Sequence, residues 1–389
     1  MRIALLTYST KPRGGVVHTL ALAEALVALG PAHGVDAVDV WTLGRGGDAT
    51  FFRPVDPRVG VRAVPFPGVD GEPVGARIER SIRVLGEAFG AAAGGAGGAG
   101  GAGGAEYDVV HAQDCISANA VLRAGVACRR TVHHLDTFTT PELVACHDRA
   151  VAEPSALACV SASVAAEVAA GWGREPVVIP NGVDAARFAA GAVDRAGRAA
   201  WARRLGRYVL ALGGIEPRKG TLDLLEAFAR LRASSPDHAD LELVVGGGET
   251  LFDYRDYRAA FDARAAALDV EPVVLGPVDD PALPSLVAEA AVLGFTSVKE
   301  GFGLAAMEAL AAGVPVVSRD LPVLREVLGD TVRFGTGVDD FTRALDAALR
   351  RPGDPAPGRA LAASYTWEAA ARRHLEWYAR GSPRDAPRG

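Results

Sequence analysis

Lysine is nearly absent from this chain. Among 389 residues only Lys11, Lys219 and Lys299 are lysines, and arginine supplies almost all of the basic charge. Together with heavy use of alanine and glycine, that bias fits a GC-rich genome. The formal net charge of −6 argues against a general nucleic-acid binder. Cysteine is scarce too. Cys115, Cys128, Cys146 and Cys159 form no C-x-x-C pair, which argues against a zinc site. They read as small buried hydrophobes in a reducing compartment. No run of eighteen apolar residues exists, so no spanning helix is expected. The apolar start, Met1 to Tyr8, is too short for a signal peptide, and a cytoplasmic protein is expected. The chain lacks Gly-Lys-Ser/Thr, which argues against P-loop ATPases and kinases, and it lacks the Gly-x-Ser-x-Gly elbow of many hydrolases. Asp-x-Asp is missing as well, and no third ligand accompanies the histidines at a convincing spacing. Neither a metal nor a cofactor is therefore expected.

What is present is a repeated alternation of short apolar runs and longer helical patterns, the signature of β-α-β units and parallel sheets. In the first half the expected strands are Ile3–Leu6, Ala37–Trp41, Val61–Val64, Val109–His111, Thr131–His134, Ala156–Val160 and Val177–Ile179. The helical patterns between them include His18–Leu29, Ala76–Phe89, Ser117–Ala124, Pro141–Glu153 and Ala162–Ala170. In the second half Tyr208–Leu212, Leu241–Val245, Val273–Leu275, Ala291–Phe295 and Val314–Val317 are expected strands. Leu222–Ala233, Tyr254–Ala267, Leu283–Ala290 and Leu304–Ala312 are the helices among them. The fold class is α/β, with two doubly wound halves of similar size. The expected domains are 1–180 and 181–364, divided at the Pro180-Asn181-Gly182 turn signal. A terminal helix at 365–381 and a loose tail at 382–389 follow. Residues 91–105 are almost pure glycine and alanine and read as a flexible loop. Just before it, Ile78, Ile82, Leu85 and Phe89 share a helical face. Peripheral docking on an anionic membrane is one use for that face, but Glu79 and Glu87 among the arginines favour an ordinary core under a solvated surface.

The most informative stretch is Lys299-Glu300-Gly301-Phe302-Gly303-Leu304-Ala305-Ala306-Met307-Glu308. A strand runs into a glycine loop that opens a helix, and such a corner aims free N–H groups and a helix dipole at an anion. Glu308 carries two oxygens able to accept from a vicinal diol, and Glu300 can hold a second hydroxylated group. Phosphate, diol and sugar together describe a nucleotide sugar. A plain glycine-opened helix with two solvated glutamates is the bland alternative. The two glutamates with seven residues between them, together with Gly-Phe-Gly-Leu and Met-Glu-Ala, resemble the donor-site signature of retaining glycosyltransferases, family four in particular. That resemblance implies the GT-B fold, two Rossmann-like domains facing a central cleft, with the terminal helix at 365–381 packing back across the domain junction. It covers most of the second half and only short motifs of the first.

The resemblance also implies roles for individual residues. The segment Gly213-Gly214-Ile215-Glu216-Pro217-Arg218-Lys219-Gly220 follows a strand and opens a helix. Fixed cations there can neutralise the charge that a departing diphosphate acquires. The family lysine falls on Lys219. The family arginine falls on Gly214, so Arg218 is either its replacement or a surface residue. Gly15, in Gly14-Gly15, is expected to approach the donor phosphates. His133, in Thr131-Val132-His133, matches the family histidine that contacts the reacting sugar. His134 is its neighbour and rival. Val278 lies where the family holds the nucleobase, while the amides of Phe302, Gly303 and Leu304 are expected on sugar and phosphates. A nucleoside-diphosphate sugar is the expected donor. The acceptor, whether carbohydrate, lipid or small molecule, is not legible. A nucleotide-sugar epimerase, a phosphorylase on the same fold and a non-catalytic nucleotide-sugar binder remain as alternatives.

Overall fold

The computed structural model describes residues 1–45, 47, 49–93, 107–136, 138, 140–248 and 254–380. The chain divides into two compact units. Residues 1–182 join the C-terminal helix Trp367–Ala379 in the first, and Val183–Thr366 form the second.

In the first unit the strands are β1 (Arg2–Leu6), β2 (Ala37–Arg45), β3 (Gly60–Phe66), β4 (Val109–Ala112), β5 (Arg129–Val132), β6 (Ala156–Cys159) and β7 (Val177–Val178). All pairs are parallel, in the order β3-β2-β1-β4-β5-β6-β7. Central strands of such a sheet are covered on both faces and read as unbroken apolar runs. Ile3, Ala4, Leu5 and Leu6 accordingly have no exposed surface. The second unit contains β8 (Arg207–Leu212), β9 (Leu241–Gly246), β10 (Val273–Gly276), β11 (Val292–Phe295), β12 (Val316–Arg319) and β13 (Arg333–Gly335), again all parallel, in the order β10-β9-β8-β11-β12-β13. Both doubly wound halves expected from the alternation are therefore present.

The structure departs from the pattern in instructive places. Strand β5 lies two residues earlier than expected, so His133 and His134 follow it and are not part of it. Its first residue, Arg129, pairs with His111 and Ala156 in the sheet, and its guanidinium donates to the carbonyls of Trp377, Tyr378 and Arg380 at the end of the C-terminal helix. A cation there satisfies carbonyls that the helix cannot. The helix expected at His18 begins at Gly14, which makes the two glycines its first turn. In the second unit, β13 and the helices Ala185–Val193, Arg195–Leu205, Pro322–Leu328, Val338–Arg350 and Ala356–Ser364 add to the expected set. Arg195–Leu205 buries only Leu205, so it carries no apolar stripe to read.

Helix Val74–Ala92 turns Ile78, Leu85 and Phe89 into the core, while Arg80 pairs with Glu72 over the Phe66 ring. The apolar face considered for membrane docking is thus taken up inside the protein. That helix also absorbs the first two residues of the expected 91–105 loop; residues 94–105 lie outside the described set, as does the expected tail. Among the described residues no helix is long and apolar enough to cross a membrane.

The C-terminal helix packs within the first unit, against the helix Gly14–Leu29, and contributes Ala371, Trp377 and Tyr378 to its main core. Trp377 is 5% exposed. Trp377→Ala should therefore lower the unfolding free energy by about 3–5 kcal/mol in urea titrations. An unchanged midpoint would show that this helix is not part of the first unit's core.

Candidate functional site

In the second unit the chain leaves β8 for β9 on one side and later places β11 on the other side of β8. The loops leaving β8 and β11 therefore diverge, and open α/β sheets bind ligands at such a switch point, beyond the carboxyl ends of the strands. Residues 213–220 and 296–303 are those two loops.

Their backbones are tied together. Val298 N–H donates to the Arg218 carbonyl at 2.8 Å, and Thr296 Oγ1 donates to the carbonyls of Lys219 and Gly220 at 3.2 and 3.1 Å. Their charged side chains converge as well. Lys219, which ends the 3-10 turn Pro217–Lys219, donates from Nζ to Glu300 Oε1 at 2.7 Å. Arg218 Nη1 reaches the same oxygen at 3.2 Å, and Nη2 donates to Glu216 Oε1 at 3.1 Å. Two cations and two carboxylates therefore form one network. The side chains of Lys219 and Glu300 are only 15% and 11% exposed, so each charge relies on the other for lost solvation.

Gly214, where the resemblance expects arginine, has φ of +83°, and a Cβ there would lie 2.7 Å from the Gly248 carbonyl oxygen. A side chain at 214 meets both backbone strain and a steric block. Arg218, by contrast, reaches Glu300 directly.

Helix Leu304–Ala312 opens at Gly303, whose φ of +93° suits glycine, and no side chain caps it. Its first N–H groups have no partner inside the helix, and its dipole favours an anion there. Phe302 is buried edge-on against Tyr365, so its side chain belongs to the core. Glu308, half-buried farther along the helix, makes no hydrogen bond or ion pair among the described residues. Burial pushes its carboxyl up to about 8; the nearby Arg187 opposes that shift, while Asp184 and Asp280 add to it. Val278 follows β10, and its Cγ2 lies 3.3 Å from where a Gly246 Cβ would sit. Gly246-Gly247-Gly248, at the end of β9, packs backbone to backbone against the Gly213-Gly214 turn: the N–H groups of both Gly213 and Gly214 donate to the Gly246 carbonyl. Sequence reasoning missed this run and Glu216. Three glycines directly after an apolar strand were the available signal.

In the first unit the switch point lies between β1 and β4. Gly15 follows β1 and Gln113 follows β4. His133, just past β5, places Cδ2 3.6 Å from where a Gly15 Cβ would sit. Its Nε2 is 3.3 Å from Gln113 Oε1, and its ring meets His18 edge-on with centroids 4.6 Å apart. Burial, with smaller contributions from His134, His111, Arg130 and His374, lowers its pKa to about 3, so the ring is neutral. His134 turns away to Asp136 Oδ2 at 3.0 Å. Of the two rivals, His133 is the one grouped with Gly15.

The sequence pattern of the family described as Glycosyl transferases group 1 matches residues 202–356, and that of Glycosyltransferase Family 4 matches residues 12–187. The chain is 33% identical over 282 aligned positions to a phosphatidyl-myo-inositol mannosyltransferase of Propionibacterium freudenreichii, covering 67% of each chain. It is 30% identical over 410 positions to a D-inositol 3-phosphate glycosyltransferase of Geodermatophilus obscurus, covering 94% of this chain and 86% of the relative. Among solved structures, Anabaena Alr3699/HepE in complex with UDP and glucose aligns with a TM-score of 0.73 at 18% identity, over 97% of this chain and 99% of that one.

Glu308 carries a pH signature. Its folded-state pKa of about 8 lies above the value of about 4.3 for an exposed glutamate, so folding favours the neutral acid. The stability it contributes is fully present below about pH 4.3 and is lost as pH rises through 8. Unfolding free energies of the wild type should therefore fall relative to Glu308→Gln between pH 5 and 8. Parallel pH profiles would show that this carboxyl ionises freely.

Proposed function

We propose, from the premise that the chain belongs to glycosyltransferase family four and has its GT-B fold, that the second unit binds a nucleoside-diphosphate sugar and the protein transfers the sugar with retention at the anomeric carbon. The observation that carries this reading is the meeting of Lys219, Arg218 and Glu300 at the switch point of the second sheet, beside an uncapped helix N-terminus.

In this reading the amides of Phe302, Gly303 and Leu304 receive phosphate and sugar oxygens. Glu308 accepts hydrogen bonds from the ribose diol. Val278 and its loop border the base, which is held largely by main chain. A diphosphate offers Lys219 and Arg218 a stronger anion than Glu300. As the cations turn to it, Glu300 is released to accept from a hydroxyl of the transferred sugar. When the bond from the anomeric carbon to the diphosphate breaks, Lys219, with Arg218 beside it, stabilises the negative charge left on the diphosphate oxygen. The acceptor hydroxyl forms the new bond to that carbon and gives its proton to the departing diphosphate oxygen. Neutral His133 orients the reacting sugar through a hydrogen bond, with Gly15 leaving room beside it. Inositol appears in the names of both relatives, so D-inositol 3-phosphate and phosphatidyl-myo-inositol are the first acceptors to test.

Incubation with a panel of nucleotide sugars, with and without these acceptors, tests the assignment. A glycosylated acceptor supports it. Conversion of the donor without an acceptor points to an epimerase, sugar phosphate formed from orthophosphate points to a phosphorylase, and binding without turnover points to a scaffold. Two variants test the roles. Glu308→Ala should weaken nucleotide binding by roughly 1–3 kcal/mol in calorimetry, the cost of losing its hydrogen bonds to the diol; unchanged affinity would remove the ribose role. Lys219→Ala should lower kcat more than it weakens binding, and equal losses would mean phosphate anchoring alone.

A further inference from the structure

We infer that Gln113 is a positioning residue: it holds the proton of His133 on Nε2 and so presents Nδ1 as the acceptor for a ligand hydroxyl. The inference rests on the reading of His133 as a substrate-contacting group.

Gln113 stands directly after β4, at the switch point of the first sheet, and is 2% exposed. Its Oε1 lies 3.3 Å from His133 Nε2. An amide oxygen can only accept, so the proton of that bond belongs to the imidazole, and a neutral ring with Nε2–H has its lone pair on Nδ1.

The amide is itself braced. Its nitrogen lies 3.3 Å from both ring nitrogens of His111. His111 is hydrogen-bonded through Nδ1 with the Tyr378 hydroxyl at 2.7 Å and through Nε2 with Thr131 Oγ1 at 2.8 Å. The C-terminal helix, β5 and the loop after β4 thus all bear on the orientation of one carboxamide. The His133 ring has little freedom to swing, with Gly15 beside Cδ2 and His18 against its edge. His18 is anchored in turn, Nδ1 to Asn181 Oδ1 at 2.9 Å. Burial keeps the His133 ring uncharged, so its tautomer decides which nitrogen donates and which accepts.

A fixed acceptor nitrogen selects a hydroxyl that donates. The opposite tautomer would force that hydroxyl to reverse its hydrogen bond, and a ring shared between tautomers would be preorganised for neither. Outer groups that set the orientation of a contacting side chain commonly govern rate in this way.

Long-range 1H–15N correlation on [15N]histidine-labelled protein tests the assignment, with the His133 signals identified by their loss in His133→Asn. The expected wild-type pattern is a neutral ring protonated at Nε2. A ring protonated at Nδ1, or one averaged between tautomers, overturns the proposal without any need for a folded Gln113 variant. Gln113→Leu should mix the tautomers and lower kcat on the order of tenfold to a hundredfold, with a smaller change in donor KM. Gln113→Glu retains an acceptor oxygen and should keep Nε2–H and most of the turnover. An unaltered tautomer in Gln113→Leu overturns the positioning role. Full transfer activity in His133→Asn would instead overturn the substrate contact, and the tautomer spectra would still decide what Gln113 does.

Discussion

Lys219 and Glu300 lie 81 positions apart in sequence, yet the ammonium of one rests 2.7 Å from the carboxylate of the other. Each charge is largely removed from water, and each would be costly without its partner. That pairing can form only because β8 and β11 are neighbours and send their chains to opposite sides after the sheet ends. The contact also has a chemical consequence. The carboxylate on the neighbouring loop holds the lysine in position, and in the proposed reading a diphosphate displaces it. Arg218 shares the arrangement, bound between Glu300 and Glu216, so the cationic side of the site is supported at two points.

Backbone constraints shape the rest of the second unit's site. The turns after β8, β9 and β10 meet through glycine backbones, and the closeness of Gly214 to Gly248 leaves no room for a side chain. This explains why the arginine that the family resemblance expects at 214 is absent. Arg218, four residues farther on, extends its guanidinium to Glu300. The uncapped opening of helix Leu304–Ala312 belongs to the same design: a side-chain cap would occupy the N–H groups that an anion needs.

Much of this was legible in the chain. The twelve apolar runs all overlap strands, and the central ones, buried on both faces, leave continuous hydrophobic stretches. The three-residue β13, with Arg333 at its start, offers no such run. Helices in alanine- and arginine-rich segments were hidden for a related reason, since Arg195–Leu205 is held by caps and backbone bonds with little apolar burial. Helix Val338–Arg350 was within reach through its Phe341, Leu345 and Ala348 stripe. The Glu300–Glu308 and Arg218–Lys219 segments stood out because charged residues beside glycines, between a strand and a helix, have few purely structural uses. Gln113 was silent, because an amide beside an aspartate reveals nothing until its neighbours in space are known.

Local chemistry alone determined the two doubly wound halves, the two charged loops and the phosphate-suited helix opening, since periodicity, glycine placement and charge act over a few residues. Tertiary structure alone decided which of two adjacent histidines stands with Gly15, which carboxylate holds Lys219, and that Glu308 remains uncharged near neutral pH. Those outcomes depend on contacts between segments distant in the chain and on the exclusion of water around them. Neither is encoded in the spacing of residues along a single stretch.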